Sequence, residues 1–253
     1  MLFAIDIGNS RIKIAKFDQD KIISQSSFTK PSELKSFISN AESSDYAICS
    51  VVPQKSKIVF EIIKDITGKH PLIISNRVKT NLEITYKTPE TLGVDRLCSA
   101  EGAIFLYKKS ELHNNFKDKT FILSIDFGTA TTINVIEYPG KFVGGLIAPG
   151  LDMMFNSLNK DTAQLPDVDV SDFNSLIGKS TKSSIASGVV TSVTGMIEKT
   201  INFLKLEKSA EIILIYLTGG NAKKIIPFLN FDFVYEENLV LYGINSLVKR
   251  NKI

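Results

Sequence analysis

Tryptophan is absent, and cysteine and histidine occur only twice each among 253 residues. Cys49 and Cys98 lie in a strand-like run and a helix-like run, with no second cysteine at metal-ligand spacing, and read as buried structural thiols. His70 and His113 sit in polar connections far apart, so the sequence offers no His/Cys or His/carboxylate metal cluster, and both read as surface histidines. No apolar run approaches the roughly 18 residues that a membrane span needs. The N-terminus shows no basic segment followed by an apolar stretch, because Asp6 interrupts Leu2 to Ile7. A cytoplasmic protein without a membrane partner is expected. The net charge of +3 is spread over many lysines set beside acidic residues. Such a surface makes no concentrated basic patch, and no nucleic-acid partner is expected. Also missing are Gly-x-x-x-x-Gly-Lys-Ser/Thr and Gly-x-Gly-x-x-Gly, which sets aside the two commonest nucleotide loops.

Hydrophobic residues make up 43% of the chain and charged residues 23%, proportions that let a globular core form without staples. The length suits one large domain or two lobes of about 120 residues. Leu2 to Ile5 is a short apolar run ending at Asp6-Ile7-Gly8-Asn9, after which Ile12, Ile14 and Phe17 alternate with polar residues. That pattern predicts strand, tight loop, strand. A turn at Asp18 to Lys21, a third strand, a helix from Pro31, a strand over Tyr46 to Val52, a helix over Ile58 to Ile66 and a strand at Pro71 to Ser75 follow. The order is that of an α/β protein.

The order then returns. Phe121 to Ile136 overlays Leu2 to Ala15 and beyond, with Asp126 on Asp6 and Gly128 on Gly8, a spacing of 120 residues (126 minus 6). After it come a strand to Ile147, helices near Asp152 to Leu158 and Thr181 to Leu206, a strand over Ile212 to Leu217, a helix from Asn221, a short strand and a last helix over Asn238 to Lys249. The repeat predicts two similar lobes, with a boundary near the polar stretch His113 to Lys119.

An Asp ending a buried strand before a Gly turn puts a carboxylate at the carboxyl edge of a sheet, where α/β proteins bind ligands. Gly8 and Gly128 allow a phosphate to approach the backbone, and Asn9, Ser10, Thr129 and Thr132 can donate to its oxygens. The carboxylates themselves suit a cation, magnesium above all. A lone Asp-x-Gly is equally a hairpin turn; two copies in the same strand context favour a site for ATP and phosphoryl transfer. Leu217-Thr218-Gly219-Gly220-Asn221 is either an adenosine loop or an ordinary strand-to-helix turn.

The paired loops resemble those of the sugar-kinase, actin and heat-shock-chaperone ATPase superfamily. Within it, Tyr86-Lys87-Thr88-Pro89-Glu90-Thr91-Leu92-Gly93-Val94-Asp95-Arg96 resembles the pantothenate-binding signature of type III pantothenate kinases. Gly144 to Leu151, Thr162-Ala163-Gln164-Leu165-Pro166, and Ser180-Thr181 ahead of Ile185-Ala186-Ser187-Gly188 match the same family in order, from residue 2 to about 243. The resemblance implies an α/β fold of two duplicated actin-like ATPase lobes (ribonuclease H-like), over residues 1–115 and 116–253, each a mixed sheet flanked by helices. It implies ATP-dependent phosphorylation of the primary hydroxyl of pantothenate, the first step toward coenzyme A. It maps the first phosphate loop to Asp6, Ile7, Gly8, Asn9, Ser10, Arg11, Ile12 and Lys13, and the second phosphate contact to Thr129. Asp95 becomes the general base, and Tyr86 with Gly93, Val94, Asp95 and Arg96 the substrate pocket. Asp126 becomes a ligand of potassium or ammonium, Asp6 is assigned to magnesium, and Thr181 is a residue that in a homodimer reaches a shared active site. Ser10 departs from the threonine common there, and keeps the hydroxyl.

Each substrate residue has a plainer reading. Asp95 fits a helix N-cap, Arg96 an unmatched surface arginine where the functional reading has it pair with a substrate carboxylate, and Tyr86 a strand aromatic. Ser184, Ser187, Gly188, Ser192 and Gly195 on one helix predict close backbone packing, in the core or in a dimer. Two rival functions share the fold: a non-catalytic regulator or transcription accessory protein, and a kinase of another small alcohol. The joint presence of Asp6, Asp95, Arg96 and Asp126 opposes the first, and the Gly93-Val94-Asp95-Arg96 run opposes the second.

Overall fold

The first apolar run, Leu2–Ile7, is buried throughout except at Asp6, as a strand covered on both faces must be. It is β1 of a computed structural model that describes residues 1–38, 44–111, 117–160 and 166–251, with main chain alone at 159 and 160. His113 and the signature residues Thr162 to Leu165 lie outside the described residues. In chain order the strands are β1, β2 (Ile12–Asp18), β3 (Lys21–Phe28), β4 (Asp45–Ser50), β5 (Leu72–Ile73), β6 (Glu83–Ile84), β7 (Thr120–Phe127), β8 (Ala130–Glu137), β9 (Lys141–Pro149), β10 (Ile212–Thr218) and β11 (Val234–Tyr235). The helices are α1 (Leu34–Ile38), α2 (Pro53–Thr67), α3 (Val94–Lys109), α4 (Leu151–Lys160), α5 (Thr181–Glu207), α6 (Ala222–Ile225) and α7 (Leu239–Asn251).

The chain divides into two units. The first comprises Met1–Asn115, Pro139–Val143 and Asn238–Ile253. Its sheet runs β3-β2-β1-β4-β5, antiparallel across the first three strands and parallel across β1, β4 and β5. Side chains on a strand alternate between faces. Phe3, Ile5 and Ile7 therefore join Leu34, Ile38, Val59 and Ile63 of α1 and α2, whereas Leu2 and Ala4 join Cys98 of α3 and Leu241, Ile244 and Leu247 of α7.

The last helix departs from the expected contiguous division into 1–115 and 116–253, because α7 packs in the first unit against α3 and β1. Two glycines account for the approach. A Cβ on Gly102 would intrude on the Leu239 carbonyl, and one on Gly243 on the Cys98 carbonyl. Polar groups then lock the pair. The fully buried Glu101 carboxylate accepts from Thr80 Oγ1 (2.8 Å), the Asn81 amide (3.1 Å), Ser246 Oγ (3.0 Å) and Asn81 Nδ2. Asp20, in the β2–β3 turn, pairs with Lys109 of α3 and Lys249 of α7. Burial raises its pKa, but the lysine contacts prevail and hold the carboxyl below its ordinary value.

The second unit comprises Phe116–Tyr138 and Gly144–Glu237. Its strands run β11-β10-β7-β8-β9, with β7 and β8 antiparallel and β10 parallel to both β7 and β11. Read from the other end, this is the order of the first sheet, so the repeat seen in sequence is a repeat of topology. Val189, Val193, Ile197, Ile201 and Leu204 of α5 press on Leu123, Ile125, Phe127, Ile133 and Val135, an i, i+4 stripe against one strand face. The helix expected from Asn221 is only Ala222–Ile225, and a 3-10 turn containing Pro227 follows it. Among the described residues no helix is long and apolar enough to cross a membrane.

Candidate active site

Alternation on β1 decides where Asp6 points. Its even-numbered neighbours Leu2 and Ala4 face α3 and α7, so Asp6 faces the same way, opposite Lys13 on β2 and Cys49 on β4 in register. From α3 the same region receives Cys98, one turn beyond Asp95. The hydrogen bond with Cys98, then burial, then the charges of Cys98, Asp6 and Asp95 all push the Cys49 thiol up. Both candidate carboxylates thus lie close enough to act on the one buried Cys49 thiol. Both thiols are fully buried, as their sequence settings suggested.

Asp95 is not the N-cap. That place is taken by Gly93, leaving Val94 and then Asp95 in the first turn of α3, where Asp95 Oδ1 accepts from the Arg96 amide at 2.8 Å. A Cβ on Gly93 would stand 2.5 Å from Asp95 Oδ1. Val94 is partly buried and packs at the edge of the α3–α7 core. In the first loop, Gly8 donates to the Arg11 carbonyl at 3.0 Å, while Asn9, Ser10 and Arg11 are exposed. Ile7 and Ile12 are in register and their side chains belong to the core, so only their main chain is available to a ligand.

In the second unit Asp126 faces away from the α5 core, since Ile125 and Phe127 fill that side. It stands in register with Thr132 on β8 and Thr218 on β10. The Gly128 amide donates to the Ala130 carbonyl at 3.1 Å, which makes this loop one residue shorter than the first. Thr129 at its tip is exposed. The Gly219-Gly220 loop packs tightly on its neighbour. Gly219 has φ 99°, and a Cβ there would stand 2.5 Å from the Phe127 amide nitrogen and intrude on Asp126 Oδ1. The Asn221 amide then donates to the Phe127 carbonyl at 2.9 Å, so the glycine loop lies directly on the Asp126 loop, with Gly220 exposed.

A family model described as type III pantothenate kinase matches residues 2–202. The chain belongs to that family. Named members align along the whole length: one from Sulfurihydrogenibium sp. (strain YO3AOP1) is 32% identical over 98% of this chain and 100% of its own. Another, from Legionella pneumophila (strain Corby), is 33% identical over 99% of both. Among solved structures, a Campylobacter jejuni protein assigned by its name to the Baf family of transcriptional activators matches with TM-score 0.61 and 18% identity over 98% of both chains. A ROK hexokinase from Thermus thermophilus matches with TM-score 0.50 and 10% identity over 97% of both. At such identities these two speak for the fold alone, the duplicated actin-like α/β architecture expected from the sequence.

In this type III pantothenate kinase family member the signature residues Tyr86 and Arg96 meet. Arg96 is 6% exposed, not a surface arginine, and its guanidinium carbon lies 5.8 Å from the Tyr86 ring centroid and 5.7 Å from that of Phe142. The two rings meet edge to face at 6.1 Å. Sequence reasoning passed over Phe142. It arrives because β6, an unforeseen strand, pairs with Lys141 and Phe142, and Thr85 donates to the Phe142 carbonyl from its amide (3.1 Å) and hydroxyl (2.8 Å). A signal existed in the isolated Phe between the Tyr138-Pro139-Gly140 turn and Gly144-Gly145, but nothing local tied it to Arg96. Thr181 is exposed at the start of α5, behind the Ser180 N-cap, whose hydroxyl accepts from the Ser183 amide at 3.2 Å.

Cation chemistry fits the donors present. Among the described residues no three His, Cys, Asp or Glu side chains converge on a metal position. Magnesium that arrives with nucleotide phosphates needs only one or two protein carboxylates, and a hard oxygen donor such as Asp6 or Asp126 suits it or a monovalent cation.

Proposed function

We propose that this chain transfers the terminal phosphoryl group of ATP to the primary hydroxyl of pantothenate, giving 4'-phosphopantothenate at the entry to coenzyme A synthesis. The observation that carries the proposal is the alignment with type III pantothenate kinases along the whole chain, together with Asp95 held in the first turn of α3 on the Asp6 face of the sheet. Phosphoryl transfer needs positioning and charge neutralisation more than covalent help, plus a carboxylate to take the proton of the attacking hydroxyl. Asp95 takes that proton. Asp6, with the Gly8, Asn9, Ser10, Arg11 and Lys13 loop, serves the phosphates and would hold magnesium, which neutralises their charge. Thr129, Thr132, Gly219 and Gly220 serve the nucleotide in the second unit, and Asp126 would hold potassium or ammonium. Arg96, set beside Tyr86 and Phe142, offers its N–H groups to the pantothenate carboxylate. The cytoplasm, which supplies ATP, is the working compartment.

The test is ATP consumption with and without pantothenate, and with and without potassium. Turnover that needs pantothenate and rises with potassium is expected. Hydrolysis indifferent to pantothenate would exclude the proposal.

A homodimer is supported by the small-residue face of α5. Among the described residues, a Cβ on Gly188 or Gly195 would meet no atom within 4 Å beyond the backbone of its own helix. Core packing therefore does not explain them. Ser184, Gly188 and Ser192 line a groove of about 410 Å³ with Pro149, Met154 and Leu158. Around it Ile147, Leu176 and Ile177 are 63%, 65% and 75% exposed, an apolar surface that a partner would cover. A second copy of the chain would cover it and bring Thr181 toward a shared site. Sedimentation should give twice the 28.0 kDa of one chain, and Gly188→Arg should give 28.0 kDa. A wild-type mass of 28.0 kDa would rule the shared site out.

A further inference from the structure

Lys55, in the first turn of α2, takes no part in any family motif named above, yet its ammonium reaches the first phosphate loop. Its Nζ donates to the Asn9 carbonyl at 2.6 Å and approaches the Gly8 carbonyl at 3.5 Å. Both are main-chain oxygens. Among the described residues no carboxylate pairs with it. The geometry has a direct consequence for the two peptide groups concerned. In a trans peptide the C=O and the following N–H point in opposite directions. With the Gly8 and Asn9 carbonyls both turned to Lys55, the Asn9 and Ser10 amide hydrogens both turn away from it, side by side. Successive amides turned the same way form a concave anion site.

We infer that Lys55 is a positioning residue for nucleotide phosphates: by binding the carbonyl side of two consecutive peptides, it presents their amide side to the ATP phosphate chain. The inference rests on the kinase reading given above. Two further features agree with it. Lys55 is only half-buried and adds a positive charge beside the loop. Asp6 and Lys13 face each other across β1 and β2 on the α3 side of the sheet, whereas α2 packs on the other side. Lys55 therefore acts on the loop from behind, and does not compete for the space that Asp6 and Asp95 share.

The test uses the full chain and measures the binding of ADP, adenosine and pantothenate by calorimetry in wild type, Lys55→Met and Lys55→Arg. Because hydrogen bonds from a charged group are among the stronger ones, Lys55→Met should weaken ADP by about tenfold or more. Adenosine and pantothenate affinities should stay within about twofold, since neither engages the phosphate loop, and Lys55→Arg should restore most of the ADP affinity by reaching the same carbonyls. A merely structural lysine would behave differently. If Lys55→Met weakens all three ligands alike, or leaves ADP within twofold of wild type, the inference is overturned. Wild type that binds ADP but shows no pantothenate-dependent turnover would overturn the choice of acceptor and leave the Lys55 result standing on its own. Wild type that fails to bind ADP would overturn both.

Discussion

Replacing Asp95 by Asn should reduce pantothenate-dependent turnover by at least about 10²-fold, the lower end for removing a general base. The substitution keeps size and shape, so Gly93 still clears the side chain and the amide oxygen can still accept from the Arg96 N–H. What is lost is the capacity to take a proton. The effect should therefore fall on kcat, with the KM for pantothenate changed little, because an interaction made only in the transition state leaves ground-state binding alone. Thermal stability should move by little, since Asp95 is half-exposed and its charge near the start of α3 contributes about 0.3–1 kcal/mol through the helix dipole. Steady-state kinetics with a coupled ADP assay, at saturating potassium, decide the matter. Turnover equal to wild type would remove Asp95 from the chemistry.

The second large effect concerns the crossing of α3 and α7. Gly243→Ala should lower the stability of the first unit by about 1–3 kcal/mol or more, the range for overpacking a close-packed interior. The added methyl would meet the main-chain carbonyl of Cys98, and a backbone atom cannot step aside by changing rotamer. The helices must separate, which loosens Leu241, Ile244 and Leu247 from β1 and disturbs the Glu101 cluster with Ser246. The preference of helices for Ala over Gly, up to about 1 kcal/mol, works the other way and is outweighed. Gly102→Ala should act in the same direction against the Leu239 carbonyl. The double variant should cost less than the sum of the two singles, because both relieve the same approach. Denaturant midpoints measure all three. An unchanged midpoint for Gly243→Ala would mean that the helices do not meet this closely. Since α3 also carries Asp95 and Arg96, kcat should fall alongside stability.

These two glycines mark the limit of what local reading delivers. In sequence, Gly102 and Gly243 look no different from Gly188 and Gly195: all four interrupt helices. In the fold the first pair are filled to the limit by another helix, while among the described residues the second pair meet no other element. The reason is physical. A missing side chain says that some backbone comes close, but the identity of that backbone is set by contacts between segments far apart in the chain.

The duplicated order, the two Asp-x-Gly loops and the pantothenate signature were all legible, because each depends on short-range pattern. Alternation reports strands, 3.6-residue periodicity reports helices, and a carboxylate before a glycine turn reports a sheet edge. Even the face chosen by Asp6 follows from alternation once the core partner of Leu2 and Ala4 is known. The paired loops were readable as a repeat, although their one-residue difference in length was not, since the overlay matches residue types and not hydrogen-bonded turns.

What the tertiary structure alone decided is which distant pieces complete each local motif. It returned α7 to the first unit, brought Phe142 against Arg96 through β6, laid the Gly219 loop on Asp126, and carried Lys55 to the carbonyls of Gly8 and Asn9. It also moved Asp95 from the cap of α3 into its first turn. The sequence by itself therefore determined the Asp-x-Gly loops, the repeat and the family, because these are written in runs of neighbouring residues. The supports of those loops were decided only by packing, because burial energy depends on how well two surfaces fit and a chain's local pattern records only that a surface is apolar or small.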